Sequence, residues 1–263
     1  MEKFAIPSVM EKSCMHVKRN ERVMPKKTYK VLFFDLDGTL LDFNASEREA
    51  LGHLLLDKGI EATEDALRCY HQINDSMWKM LERGEITRER LQTERFERFF
   101  ETLGIQKLEG DEAFHYRTYL SQSAIPIKGA RVLLENLSKR YPLYLVSNGN
   151  TDVQYGRLEK SGFQEFFQGI FLSQEVGYTK PDKRFFDVCM EKVTGLTAKD
   201  ILLIGDSVSS DMKGGLLSGI DTCWYHPEGT PGMLSGDEIP VTYEIRSLEE
   251  LYAILEVDLQ KDM

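Results

Sequence analysis

The sequence is poor in the features that mark several large protein classes. Its 263 residues include only four cysteines, Cys14, Cys69, Cys189 and Cys223. They are scattered and form no C-x-x-C pair, which argues against a disulfide framework or a zinc site and for a reducing compartment. No apolar run approaches the roughly 20 residues needed to cross a bilayer. The N-terminus lacks the basic-then-apolar layout of a signal peptide, so the cytoplasm is the expected location. Basic charge is in deficit, with 33 Lys plus Arg against 43 Asp plus Glu and a net charge of -10. Nucleic acid is therefore not an expected partner, because phosphate-backbone contacts need a basic face. A small anionic substrate stays open, since one metal ion and one lysine reverse the field locally. No repeat or low-complexity tract is present. What remains is an ordinary globular composition, 41% hydrophobic and 29% charged, in a chain long enough for one domain or a domain with an insertion.

Residues 1 to about 28 are polar and without periodicity, and read as a flexible extension. Met24 offers an alternative translation start just ahead of the first strand. Val31-Leu32-Phe33-Phe34 is a short apolar run of the kind that forms a strand buried on both faces of a parallel sheet. Similar runs stand at 143–146, 170–172, 201–204 and 222–225. Segments with helical spacing lie between them, among them Val132-Leu133-Leu134-Leu137 and the stretch from Phe185 to Val193. This alternation predicts βαβ units and an α/β, doubly wound parallel sheet. Ser247-Leu248-Glu249-Glu250 is a capping-box pattern before the last apolar run.

Residues 44–122 carry helical spacing only. Ser46-Glu47-Arg48-Glu49 matches a capping box, followed by Ala50, Leu51, Leu54 and Leu55, with a stop at Gly59. Leu67, Tyr70, Ile73, Met77, Trp78 and Leu81 continue the pattern, as do Leu91, Phe96, Phe99, Phe100 and Leu103 before Gly104. The predicted organisation is an extension (1–28), a catalytic core (29–43 plus 123–263) and an inserted all-helical cap (44–122).

Four segments follow buried strands or precede helices, where open α/β sheets bind ligands. Asp35-Leu36-Asp37-Gly38-Thr39 puts two carboxylates at a strand end with a glycine to turn the chain; alone it reads equally as an Asx-turn. Ser147-Asn148-Gly149 suits a phosphate oxygen or a tight turn. Lys180-Pro181-Asp182 places a cation just before a predicted helix with Pro181 at its first position, which an anionic partner would rationalise. Gly205-Asp206-Ser207, followed by Ser210-Asp211, closes the most hydrophobic strand. Asp35 and Asp206 could supply the carboxylate oxygens that Mg²⁺ requires, while Asp211 has a helix-capping alternative.

In this order, and at these places, the four segments resemble the motifs of the haloacid dehalogenase superfamily of aspartate-nucleophile hydrolases, over residues 29 to the C-terminus. D-x-D-G-T matches at Asp35 to Thr39, the second-motif serine at Ser147, the motif lysine at Lys180, and G-D-S-x-x-S-D at Gly205 to Asp211. The resemblance implies that Asp35 attacks phosphorus, that Asp37 is general acid and base, and that Mg²⁺ is held by Asp35, Asp206 and the main-chain carbonyl of Asp37. It further implies that Ser147, Asn148 and Lys180 bind the phosphoryl group, with Asp211 orienting Lys180 or a metal-bound water.

Asp37 separates the reactions of this superfamily, because an alkoxide needs a proton to leave and a halide does not. Leu40 to Phe43, Gly219 to Trp224, Tyr243 to Arg246 and Leu248 to Leu251, with Ile73-Asn74 and Trp78 in the cap, are similar to the bacterial noncanonical pyrimidine 5′-nucleotidases. A nucleotide monophosphate is the implied substrate, with sugar phosphates or other small monoesters as the alternative and a non-catalytic binding protein as a further one. The expected assembly is a monomer or homodimer without membrane partners. Asn74, Lys79 and Arg83 are candidates to face the cleft. Phe96, Phe99, Phe100 and Trp78 read as cap core, and the five histidines as structural or surface residues.

Overall fold

The computed structural model describes residues 27–105, 110–193, 195–227 and 239–257. Cys14, Met24 and nearly all of the expected N-terminal extension lie outside them. Six parallel strands form one sheet: β1 (Val31–Phe34), β2 (Leu143–Ser147), β3 (Gly169–Leu172), β4 (Ile201–Gly205), β5 (Asp221–Tyr225) and β6 (Tyr243–Ile245). Their order is β3-β2-β1-β4-β5-β6. The chain moves outward from β1 to β3, then returns across the sheet to β4. This reversal opens a crevice beside β1 at the carboxyl edge. Phe34 pairs with Leu145 on one side and Ile204 on the other. Asp35 and the Gly205-Asp206 turn therefore leave the sheet side by side.

Why the strands are apolar throughout is visible in the packing. Leu32 and Phe34 join Leu143, Leu145, Leu202 and Ile204 in the core on one face. Val31 and Phe33 join Val146, Phe171, Ile201 and Leu203 on the other. With both faces covered, alternation of polar and apolar residues is lost. Burying Phe33 and Phe34, each with no exposed surface, is worth roughly 1.5–3 kcal/mol apiece. The covering helices of the core are α5 (Ala130–Leu137), α6 (Thr151–Ser161), α7 (Ser173–Val176), α8 (Lys183–Lys192), α9 (Lys213–Ser218) and α10 (Leu251–Ile254).

Between β1 and α5 the regular elements among the described residues are four helices: α1 (Phe43–Asp57), α2 (Glu64–Glu82), α3 (Arg88–Thr102) and α4 (Glu112–Gln122). They bury a cluster of their own around Leu51, Leu54, Tyr70, Phe96, Phe99 and Tyr116, which makes them an inserted helical cap. The two chain crossings lie against each other. The Asp42 amide donates to the Ile125 carbonyl at 2.8 Å and the Ile127 amide to the Leu40 carbonyl at 2.9 Å, with Leu41 and Pro126 in a β-bridge.

Two local expectations are corrected. The first cap helix starts at Phe43 with Asp42 as N-cap, its side chain accepting from Ala45 N at 2.9 Å. Ser46 is then inside the helix and buried, because the aspartate four residues earlier already satisfies the free amides. Pro181 is not a first helical residue: α8 begins at Lys183, with Asp182 as its cap. The stops at Gly59 and Gly104 and the capping box at Ser247 are as expected.

Candidate active site

The carboxyl edge of the sheet gathers Asp35, Asp37, Ser147, Asn148, Lys180, Asp206 and Asp211 around one cavity and its floor. Lys180 is the hub. Its ammonium, 1% exposed, donates to Asp35 Oδ1 at 2.6 Å, Asp211 Oδ1 at 2.7 Å and the Val146 carbonyl at 2.9 Å. All three donor positions of the ammonium are thus filled. Burial alone would lower the lysine's affinity for its proton, but Asp211 and Asp35 outweigh it and raise it, so the cation is secure. Lys180 stands just before α8, and the anionic partners that rationalise it are Asp35, directly after β1, and Asp211, beyond the end of β4.

Asn148 fixes that lysine in place. Its amide nitrogen donates to the Lys180 carbonyl and its amide oxygen accepts from the Lys180 N–H, both at 2.9 Å. Expected at the phosphate, this side chain spends its polar atoms on the backbone of residue 180. Ser147 Oγ accepts from Gly149 N at 3.1 Å and Gln154 Nε2 at 2.7 Å, which leaves its own hydrogen free for an incoming oxygen.

Asp206 sits beside Asp35. Thr39 Oγ1 donates to its Oδ1 at 3.2 Å, and Trp224 Nε1 to its carbonyl at 2.9 Å. Gly38 makes the approach possible: it has φ of 82°, and a Cβ there would overlap the Asp206 carboxylate. Only glycine meets both conditions. Asp211 belongs to a π-turn at Val208–Met212, a kind of helix distortion enriched at functional sites. It accepts from Ser207 N at 3.2 Å as well as from Lys180.

Oxygens of Asp35, Asp206 and Asp211 lie within 4.8 Å of one another. Burial raises the pKa of Asp35 well above the usual carboxylate value against the pull of Lys180, with Asp211, Asp206 and Asp37 adding to the rise. Burial, then Asp211, pushes Asp206 up to about 7. Four carboxylates around one ammonium leave an excess of negative charge with oxygen donors only. That donor set fits a hard divalent cation.

Asp37 shows what the sequence did not disclose. Its Oδ1 accepts from the guanidinium of Arg157 and its Oδ2 from Gln154 Nε2 at 2.6 Å. Arg157 is fully buried and also donates to the Ser123 carbonyl at 2.9 Å and Ser46 Oγ at 3.4 Å. It thereby touches the catalytic-motif loop and both cap crossings. The available signal is the buried face of α6, Val153, Gln154, Arg157, Leu158 and Ser161, an apolar stripe interrupted by Gln and Arg.

These groups open into a cavity of about 770 Å³, closed on the far side by α2 residues His71, Asn74, Asp75, Trp78 and Glu82. Cap and core meet through Arg88, which donates to the Asn148 carbonyl at 3.0 Å and Ser173 Oγ at 2.8 Å, and through Glu82, which accepts from Ser209 Oγ at 2.7 Å. Of the cap candidates, Asn74 borders the cavity and Lys79 and Arg83 do not. The latter pair with Asp75 at 2.7 Å and Glu85 at 2.5 Å on the exposed side. Phe96, Phe99 and Phe100 are cap core; Trp78 packs against the small cap cluster of Met77, Ile86 and Leu91 and also lines the cavity, as does the half-exposed His71.

A doubly wound parallel sheet with aspartates clustered at the switch point defines an α/β protein with an acidic site suited to a divalent cation. Residues 32–225 match the model of the haloacid dehalogenase-like hydrolases, and the chain belongs to that family. It is 41% identical over 235 residues to the HAD-hydrolase YfnB of Bacillus subtilis, covering 88% of this chain and 97% of that one. The YfnB crystal structure, bound to magnesium and revealing interdomain movement, superposes with a TM-score of 0.81 over 88% of this chain and all of the other. The pyrimidine 5′-nucleotidase PynA of Streptococcus pneumoniae is 37% identical over 232 residues, 88% of this chain and 97% of its own. The pyrimidine 5′-nucleotidase YjjG of Escherichia coli is 31% identical over 227 residues, 85% and 96% respectively.

Proposed function

We propose that the protein is a Mg²⁺-dependent phosphomonoesterase that acts best on pyrimidine nucleoside 5′-monophosphates. The observation that carries the chemistry is the pairing of two carboxylates, Asp35 and Asp37, from one strand end with Lys180 between Asp35 and Asp211. The nucleotide preference draws on the identity to PynA and YjjG over most of the chain.

In this reading an Asp35 oxygen bonds to phosphorus while the ester P–O bond breaks, and the Asp37 carboxyl gives its proton to the departing oxygen. Water then loses a proton to Asp37 as its oxygen bonds to phosphorus. The bond from Asp35 to phosphorus breaks, releasing orthophosphate and restoring both aspartates. The Ser147 hydroxyl holds a phosphoryl oxygen, and Lys180 sets a positive charge beside the group and exchanges its Asp35 hydrogen bond for a phosphoryl oxygen as Asp35 attacks. Asn148 and Asp211 keep Lys180 aimed, and Gln154 keeps Ser147 and Asp37 in register. Mg²⁺ would be held by Asp35, Asp206 and, as the family resemblance implies, the Asp37 main-chain carbonyl, and would neutralise charge on the transferring group.

The test is a panel of phosphomonoesters with and without Mg²⁺: deoxyuridine and thymidine monophosphates, sugar phosphates and an aryl phosphate. Metal-dependent phosphate release with pyrimidine nucleotides among the best substrates is expected. Equal or faster turnover of sugar phosphates removes the nucleotidase assignment and spares the mechanism. Unchanged activity in chelator removes the mechanism.

A further inference from the structure

The cavity face of α2 carries His71, Asn74, Asp75, Trp78 and Glu82, a spacing that sets them in one stripe along the helix. The phosphoryl chemistry uses none of them. Two are built for contact with a ligand. The His71 ring bonds through Nδ1 to Glu47 Oε2 at 2.6 Å. Glu47 Oε1 accepts from Asn74 Nδ2 at 2.7 Å, and Asn74 Oδ1 accepts from Arg95 Nη1 at 2.9 Å. Glu47, Asn74 and Arg95 are each no more than 2% exposed. Three buried polar groups therefore fix the orientation of one imidazole. The His71 side chain itself stays 46% exposed, and its Nε2 bonds no protein group among the described residues. The Glu47 hydrogen bond, working against burial, raises the ring's affinity for a second proton, and in the doubly protonated ring Nε2 is a donor. About two helical turns further on, the Trp78 indole borders the cavity with the Arg88 guanidinium carbon 5.5 Å from its centroid.

We propose that His71 and Trp78 form the subsite for the leaving group. The ligand it fits is a flat heteroaromatic ring with a carbonyl oxygen on its edge, the ring lying against Trp78 and the carbonyl accepting from His71 Nε2. In a nucleoside monophosphate that ring is the pyrimidine base. The inference rests on the nucleotidase reading and names the residues that give it selectivity. Glu47 and Asn74 are positioning residues that act through His71. Adenine has no carbonyl oxygen and is the natural control.

The experiment measures kcat and KM for uridine monophosphate, adenosine monophosphate and acetyl phosphate with Mg²⁺ present, in the wild type and in His71→Phe, His71→Gln and Trp78→Leu. His71→Phe is expected to lower the ratio of kcat/KM for uridine monophosphate to that for acetyl phosphate by about tenfold or more, mainly through KM. The corresponding adenosine ratio stays within about twofold, since no donor–acceptor pair is lost there. Trp78→Leu lowers both nucleotide ratios, because stacking is indifferent to edge chemistry. A variant preparation that is partly misfolded loses all three rates together, so the ratios still report the subsite. A wild type that does not prefer uridine monophosphate to sugar phosphates overturns the nucleotidase reading and this inference with it. His71→Gln keeps an N–H donor and is expected to retain more of the uridine ratio than His71→Phe; a wild type with that preference and a His71→Phe variant that keeps the same ratio overturn the inference alone.

Discussion

Arg157, with no exposed surface, holds the carboxylate of Asp37 through its guanidinium while its other nitrogens reach Ser123 and Ser46. The group assigned to proton transfer is thus anchored to a side chain that also binds both crossings into the cap. Arg157→Met removes the anchor and strands the Ser123 carbonyl. Activity is expected to fall by about 10²-fold or more, the usual worth of a placed acid–base group, and unfolding free energy by about 1–3 kcal/mol. Steady-state kinetics and urea denaturation measure the two. Arg157→Lys restores the charge without the fork, so it is expected to recover stability in part and little activity.

Asp35→Asn separates chemistry from stability. Activity is expected to drop by at least about 10⁴-fold, as for loss of a nucleophile acting with its partners. Melting temperature without metal is expected to hold or rise, because the substitution removes a carboxylate whose ionised form burial and three neighbouring carboxylates oppose. A sharp fall in melting temperature would show that the Lys180–Asp35 pair outweighs that repulsion.

The acidic cluster gives the metal-free protein a pH dependence of definite sign. Asp206 keeps its proton in the fold up to about 7, against roughly 3.9 for an aspartate in an unfolded chain. Between those values the folded state binds more protons than the unfolded one, so stability is greatest at the low end and falls as pH rises through about 7. A divalent cation competes with that proton. Added Mg²⁺ is therefore expected to raise the melting temperature more at pH 8 than at pH 5.5. Scanning calorimetry at both pH values, with and without the ion, checks the sign, and equal shifts would contradict it.

Gly205→Ala tests the closeness of packing behind Lys180. A Cβ at this position would overlap the carboxylate of Asp211, which is fully buried, and the crowded group has to move off the lysine. A stability loss of about 1–3 kcal/mol is expected from overpacking. Activity should fall further than the folded fraction accounts for, as read by titrating active enzyme against circular dichroism.

Much of this was legible in the residues themselves. The strands announced themselves because burial on both faces demands unbroken apolar runs, and three of the four motif segments because each follows such a run; Lys180-Pro181-Asp182 stands instead just before α8. β6 was not foreseen: Tyr243–Ile245 is an edge strand of three residues with Glu244 exposed, too short and too polar to show a pattern. Ser46 looked like a cap and Asp42 was the cap, since helix signals place a start only to within a turn. The partners of Asp37 were hidden for a different reason. Gln154 and Arg157 come close to it only through the parallel pairing of β1 with β2, which brings α6 over the first loop. His71 was missed likewise, because what distinguishes it is Glu47, 24 residues earlier in the chain.

The pairing of residues 40–42 with 125–127 has a consequence for how such a protein is put together. Because the ends of the helical insertion are already splinted to each other by Asp42, Leu41 and Ile127, whatever hangs beyond them imposes no stretch on the sheet and little closure entropy. The core offers a socket. A different set of helices plugged in at the same two points would inherit Asp35, Lys180 and Asp206 unchanged and bring its own wall for the leaving group. Reactivity and selectivity are then separable parts, and a chimaera joined at these residues should keep the first while exchanging the second.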